Sequence, residues 1–343
     1  MYIDNKVIKK YISYWLSIMF CLIVIMIIIG GLTRLTDSGL SITKWELFSG
    51  LFPPLNDKDW HNYFDLYKKI PEFNILNNSM SLSEFKVIFW WEWIHRFLGR
   101  LIGISFLLPL IYFTSKIGFF KLKNLYFIFV LICLQGFIGW YMVSSGLVDR
   151  VDVSHFRLAL HLLIAFIILS LILWNYLSLK ELIISKEKLN FYLPITLLIL
   201  IFLQICIGAF VSGMDAGTIY NSWPLMGTSY FPDDNNLINL FSIKSFSDPS
   251  LVQFMHRNLA YLIFFFYLFL VLIVYKNNLK KFNYSIKLIG IILTIQIILG
   301  IFTIIFGAQM LIASMHQISS IFLVSSNIYL IYLNSNTNLQ PSN

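Results

Sequence analysis

Charged residues are scarce: Asp, Glu, Lys and Arg together make up only 12% of the 343 residues. Soluble domains carry about twice that share, so a freely soluble globular fold is excluded. Cysteine is scarce too. Cys21, Cys133 and Cys206 all lie within apolar runs. Their spacing offers neither a metal site nor a disulfide framework, and they read as small buried apolar residues. Acidic residues are outnumbered, leaving a formal net charge of +8. That surplus does not imply nucleic acid, because the basic residues are dispersed among loops and form no stripe on a soluble face. A cleavable signal is not evident: the first apolar run lacks a small-residue cleavage motif and is expected to stay as an anchor. An Arg-rich, acid-poor presequence is also missing, which favours a bacterial plasma membrane over an organelle.

What is present is apolar length. Eight runs reach the roughly 20 residues that cross a bilayer: residues 11–31, 88–113, 125–143, 155–177, 191–211, 252–275, 286–305 and 310–333. The connections alternate in charge. Lys6, Lys9 and Lys10 precede the first run, and Lys116, Lys121 and Lys123 follow the second. Lys180, Lys186 and Lys188 follow the fourth, and Lys276, Lys280, Lys281 and Lys287 lie about the sixth connection. The positive-inside rule makes this the cytoplasmic side, with both termini on it. The third and fifth connections are poor in Lys and Arg and face out. The expected fold is an all-α integral membrane protein.

The chain also repeats itself. IGGLTRLTDSGLSITKW, residues 29–45, aligns without a gap on IGAFVSGMDAGTIYNSW, residues 207–223. One constant offset pairs Gly30 with Gly208, Asp37 with Asp215, Trp45 with Trp223 and Pro54 with Pro232. WIHRFLGRLIG likewise meets FMHRNLAYLIF, pairing His95 with His256, Arg96 with Arg257, Gln135 with Gln296 and Gly139 with Gly300. LALHLLIAF against IASMHQISSIF pairs His161 with His316. Two tandem, pseudo-symmetric four-helix bundles follow, residues 1–180 and 181–343, in parallel orientation because each half makes an even number of crossings.

His61 falls in the first long connection and reads as solvated. The other five histidines lie on the second, fourth, sixth and eighth runs, near one membrane face. Imidazoles from neighbouring helices can ligate one flat cofactor, and haem iron accepts such axial nitrogens. The candidate iron ligands are therefore His95 with His161, and His256 with His316. A lone histidine more often bonds a facing helix; four at matched depth in two duplicated pairs favour haem. Zinc and copper are disfavoured, because no acidic or thiolate ligand recurs beside both pairs. His155 stands six residues before His161, about 120° around the helix, and reads as an end-of-helix residue.

The stretch WWEWIHRFLGR, residues 90–100, opens an apolar run yet carries Glu92, His95, Arg96 and Arg100. Charges in hydrocarbon cost roughly 2.5–3.5 kcal/mol each. Arg96 and Arg257 each follow a repeat histidine, and guanidinium forks suit the propionates of haem. Arg100 and Arg157 could add to this or snorkel to headgroups. Glu92 shares a helix face with His95, and the second half has Gln253 in its place. Duplicated sites that diverge at an ionisable group suggest divided labour. Glu92 could shuttle protons or steady a cationic intermediate; at i, i+4 it could instead simply pair with Arg96.

These motifs resemble haem A synthases, in the branch found in proteobacteria and mitochondria. The resemblance rests on GGLTRLTDSGLSITKW with the following FPPL and Trp60, EFKVIFWWEWIHRFLGRLIG, LQGFIGWYMVSSGL, the RLALHL around His161, FMHRNLAYL and ASMHQ, an ordered set spanning nearly the whole chain. It implies oxidation of a porphyrin methyl of haem o to a formyl group, giving haem a for terminal cytochrome oxidase, by successive hydroxylations and loss of water. It implies substrate haem o near catalytic Glu92, His95 and His161, and a haem b cofactor between His256 and His316. A ferredoxin-like electron donor and contact with haem O synthase or oxidase assembly proteins are further implications. Many bacterial relatives carry a cysteine pair in an outside connection; this sequence does not. Oligomeric state and the source of the inserted oxygen stay open.

Three other readings share some of these features. A di-haem b electron-transfer cytochrome would use the four histidines but leaves the Glu92/Gln253 difference unexplained. A haem-carrying oxidase assembly factor is a second. A transporter, suggested by the repeats, is a poor match because the charges gather near one face rather than at the midplane.

Overall fold

The structure is a computed structural model that describes residues 5–45, 49–180, 183–184, 187–335 and 337–338. Lys186 and the expected boundary at residue 181 lie outside the described residues. The described chain is almost wholly helical: α1 (Lys6–Leu35), α2 (Asp57–Tyr67), α3 (Pro71–Ile75), α4 (Leu82–Ile117), α5 (Phe119–Asp149), α6 (His155–Leu177), α7 (Tyr192–Gly213), α8 (Pro249–Lys276), α9 (Asn283–Ile305) and α10 (Met310–Ser335). Ile183–Ile184 and Thr337–Asn338 pair as two-residue parallel strands.

Eight of these helices are long and apolar enough to cross a membrane. The shortest, α7, has 22 residues, which at about 1.5 Å per residue spans the roughly 30 Å of a hydrocarbon core. The chain is a multi-pass membrane protein. Its outward surface carries Ile104, Leu108, Phe127, Val130, Phe265 and Leu272, all more than half exposed, as befits side chains that meet lipid.

The helices outrun the apolar stretches that mark them. α4 starts at Leu82, six residues before the apolar run at 88, because Ser81 and Glu84 form a reciprocal capping box. α5 starts at Phe119, directly after Gly118, whose φ of 84° reverses the chain in a single residue. Lys116, Lys121 and Lys123 thus sit on helix ends rather than in a loop, where long stems can carry the charge to the headgroups.

Four helices form the centre. α1 packs on α4, α6 and α10; α7 packs on α6, α8 and α10; α6 also meets α10. α5 and α9 are peripheral, while α10 is the most enclosed of the eight. Gln317 on α10 donates to the Ile27 carbonyl on α1 at 3.0 Å, and Gly31 leaves room for its amide. At the end where α1 finishes and α4 begins, α2 and α3 make an aromatic cap. Trp60, Phe64, Tyr67, Phe85 and Phe89 are buried there together with Leu40 and Val153.

Candidate functional site

Each histidine pair is assembled from two helices that the repeat places side by side. His95 on α4 faces His161 on α6, with ring centroids 6.4 Å apart. His256 on α8 faces His316 on α10, also at 6.4 Å. The four rings pack against four glycines. A Cβ built on Gly30, Gly139, Gly208 or Gly300 would lie 2.9 to 3.0 Å from Cε1 of His95, His161, His256 or His316 respectively. Real Cβ atoms hardly ever come so near, so any larger residue displaces the ring. Gly30 and Gly208 are repeat partners, as are Gly139 and Gly300; in the structure each does the same work in its own half.

All four histidines line one continuous cavity of about 930 Å³, with Glu92, Arg96, Arg100 and Arg257 also in its wall. The ring spacing suits a single metal atom between two imidazoles. A metal–nitrogen bond of about 2.0 Å on each side, plus roughly 1 Å from nitrogen to ring centre, spans about 6 Å. Among the described residues no group of three or more His, Cys, Asp or Glu could hold a bare ion. A metal bound at either pair must bring its other ligands with it, as iron in a porphyrin does. His316 is oriented for this: its Nδ1 lies 3.1 Å from the Gln296 carbonyl, which selects the tautomer with Nε2 as the free base. Nδ1 of His95, His161 and His256 is buried without a protein partner. The donor set fits haem.

The arginines hold protein. Arg96 donates to the carbonyls of Ile42 at 2.8 Å and Lys44 at 3.3 Å. Arg257 donates to those of Tyr220 at 3.0 Å, Ser222 at 2.9 Å and Leu225 at 3.2 Å. Ile42 and Lys44 fall on Tyr220 and Ser222 under the repeat offset, so both clamps grip the same two positions of the loop that leaves the first helix of each half. That loop turns at Asp37 and Asp215, with φ of 49° and 50°, a left-handed conformation that Asp tolerates better than most residues.

Glu92 marks the difference between the halves. It is 2% exposed. One carboxylate oxygen accepts from Arg96 Nη2 at 2.6 Å and Nε at 3.0 Å; the other accepts from Ser41 Oγ and the Ile42 amide, both at 2.7 Å. The i, i+4 pair with Arg96 therefore forms, and the carboxylate also fastens the loop. In the second half Gln253 donates to the Tyr220 carbonyl at 3.1 Å. The loop is held there without a carboxylate.

His61 is exposed on α2, its Nδ1 2.7 Å from the Asp57 carbonyl. His155 packs against Phe210 of α7, at 5.5 Å between rings, and is not among the cavity's lining residues. Arg157 bonds Ser145 and lies 4.5 Å over the Tyr141 ring, likewise away from the cavity wall.

Two contributors escape a reading of the sequence. Gln204 on α7 donates to the His256 carbonyl at 3.0 Å and lies 3.3 Å from its Nε2; the offset puts Met26 at that position in the first half, so the repeat gives no cue. Arg34 on α1 reaches Asp37 at 2.5 Å, Asp215 at 2.9 Å and the Ser212 carbonyl at 2.8 Å, tying one half to the other. The shared DSG and DAG turns could have suggested an acidic pair needing a cation.

Residues 13–328 match the family model described as cytochrome oxidase assembly protein, COX15-CtaA. A protein named haem A synthase from Pelagibacter ubique is 48% identical over 98% of this chain and its own whole length. Proteins of the same name from Rickettsia bellii and Flavobacterium johnsoniae are 41% and 39% identical; each alignment covers 94% of this chain, with 97% and 98% of the respective relative. With the match running nearly end to end, the chain belongs to the cytochrome oxidase assembly protein family that includes the haem A synthases.

Proposed function

We propose that this protein makes haem a by oxidising a porphyrin methyl of haem o to a formyl group, with the amino-terminal half, residues 1–180, holding the substrate. The carboxy-terminal half, residues 181–343, holds a haem b. The observation that carries this reading is the pair of equivalent histidine sites on one cavity, of which only one has a buried carboxylate beside it. Haem b, when bound, supplies one-electron chemistry at His256 and His316.

The chain's own residues do the rest. His95 and His161 grip the substrate iron from two helices and so fix the porphyrin within the cavity. Positioning of this kind is worth several kcal/mol when it holds a reacting carbon in place. Glu92 sets a buried carboxylate, paired with Arg96, in the wall of the amino-terminal site, where its oxygens face positive charge developing at the oxidised carbon. Arg96 and Arg257 keep the two loops closed over the cavity, and the charge of Arg257, which stands beside Gln253 rather than a carboxylate, favours the propionates of haem. A ferredoxin-like donor supplies electrons, and haem O synthase or oxidase assembly proteins hand over substrate or receive product.

Haem extraction from purified protein tests this. Haem o, haem a or a hydroxylated intermediate beside haem b is the expected result. Haem b alone, in two copies per chain, would support the electron-transfer cytochrome instead.

The alternation of Lys-rich and Lys-poor connections supports a bacterial inner-membrane orientation with both termini cytoplasmic. A cysteine introduced between residues 231 and 248 should react with an impermeant reagent in intact cells, and one between 277 and 281 should not. The opposite labelling would invert the topology.

A further inference from the structure

α3 is a five-residue helix in the aromatic cap, and it carries a carboxyl group that the site above does not use. Glu72 is 4% exposed, and it lines the same cavity as Glu92 and His95. The Tyr67 hydroxyl, which accepts from Asn77 Nδ2 at 2.8 Å, neighbours the Glu72 carboxyl. Its Oε2 is buried with no hydrogen-bond partner among the described residues.

Every other carboxylate nearby has a cation. Glu92 has Arg96, and Asp37 and Asp215 share Arg34. Asp152 feels Arg34 and Arg150. Among the described residues, the titratable groups that bear most on Glu72 are Tyr67 from α2, Glu92 from α4, Asp37 beyond α1 and Asp152 before α6; none of these is cationic. Burial first, and then the charge of Glu92, raise the Glu72 carboxyl to about 8. At neutral pH it is a neutral acid whose proton can leave and return, the condition a proton-transferring group must meet.

We propose that Glu72 is the proton-exchanging group of the amino-terminal cavity, passing protons between the capped end of the bundle and the methyl-oxidising region beside Glu92. The inference rests on the function proposed above. The chemistry requires such a group. If dioxygen and an electron-carrier protein serve, each hydroxylation takes up two electrons and two protons and releases one water. If water supplies the oxygen, each releases two electrons to that carrier and two protons. In both cases Glu72 breaks or forms only its own O–H bond. A purely structural glutamate in this place is fully replaced by glutamine.

The test uses the full-length protein and Glu72→Gln. Infrared difference spectra of the purified wild type should show a protonated-carboxyl band at neutral pH that fades as pH rises through about 8, and E72Q should lack it. Membranes from cells with E72Q as their sole copy should convert haem o at least ten-fold more slowly, with the haem b spectrum unchanged. The wild-type rate should fall as the acid is lost above that range, and the residual E72Q rate should not follow it. Should E72Q fail to accumulate, Glu72→Asp keeps a carboxyl and should retain both a protonated band and a pH-dependent rate. Wild-type conversion that E72Q leaves unaltered, or a band that survives E72Q or is missing from E72D, overturns the inference. Wild-type protein that binds haem yet makes no haem a removes the functional reading itself, a distinct result.

Discussion

Replacing His256 or His316 with Leu is expected to strip the low-spin haem b signal from the purified protein, reducing bound haem b by at least ten-fold in either variant. The two rings stand 6.4 Å apart with nothing else in the described cavity wall able to substitute as a soft nitrogen donor. Leu is close to His in volume, so the helices lose little packing. The contacts given up are, at His316, the Nδ1 bond to the Gln296 carbonyl and a long 3.5 Å approach of the Gln296 amide to Nε2, and, at His256, the Gln204 approach. A hydrogen bond of this kind is worth about 1 kcal/mol net, too little to unfold eight packed helices. Gln204 and Gln296 would each keep another partner, the His256 carbonyl and Ser319. Optical spectra and pyridine haemochrome content measure the outcome. Full haem b in both single variants would sink the assignment of this pair.

Glu92→Gln is expected to abolish most haem a formation, by ten-fold or more, while the haem b at the second pair persists. Removing one partner from a buried ion pair costs about 3–5 kcal/mol when the remaining charge is stranded. Here the second half shows how an arginine survives the exchange. Arg257 lives beside Gln253 by donating to three carbonyls, and Arg96 already donates to two. A glutamine at position 92 can still accept from Ser41 and Ile42, so the loop should hold. What disappears is the carboxylate on the face of α4 that carries His95, and with it the charge that balances Arg96. Cells with E92Q as their only copy should accumulate haem o or its hydroxylated form. Normal haem a there would reduce Glu92 to a fastener for the loop and for Arg96.

The sequence makes some of this legible and hides the rest for definable reasons. The eight helices announce themselves by apolar length, and the duplicated motifs tell which histidine meets which, because side chains at equivalent repeat positions are carried by equivalent helices. The glycines opposite the rings sit in the same motifs, although their purpose emerges only when the distances are known. Helix ends were less legible, because capping at Ser81 and Asp248 and the turn at Gly118 extend helices into polar sequence. Backbone acceptors leave no trace in side-chain chemistry, so nothing in the HR dipeptides says that Arg96 and Arg257 grip loop carbonyls. Glu72 looks like any glutamate of a polar connection. Only the aromatic cap folded over it reveals a buried acid.

The contact between Arg34 and Ser212 carries a consequence for how the halves are joined. Under the repeat offset, Ser212 is the residue standing where Arg34 stands in the other half. Arg34 donates to the carbonyl of its own counterpart and to both turn aspartates. A residue that touches its own counterpart lies where the two halves coincide. In two separate identical chains any side chain there would appear twice, and two guanidinium groups would confront each other within a few ångströms, at a cost of about 1 kcal/mol or more even in water. One continuous polypeptide escapes that constraint: it can place arginine on one copy and serine on the other, neutralising two carboxylates with a single cation. Covalent linkage thus permits a one-sided latch at the seam, and the same freedom lets a carboxylate stand beside one histidine pair and an amide beside its double.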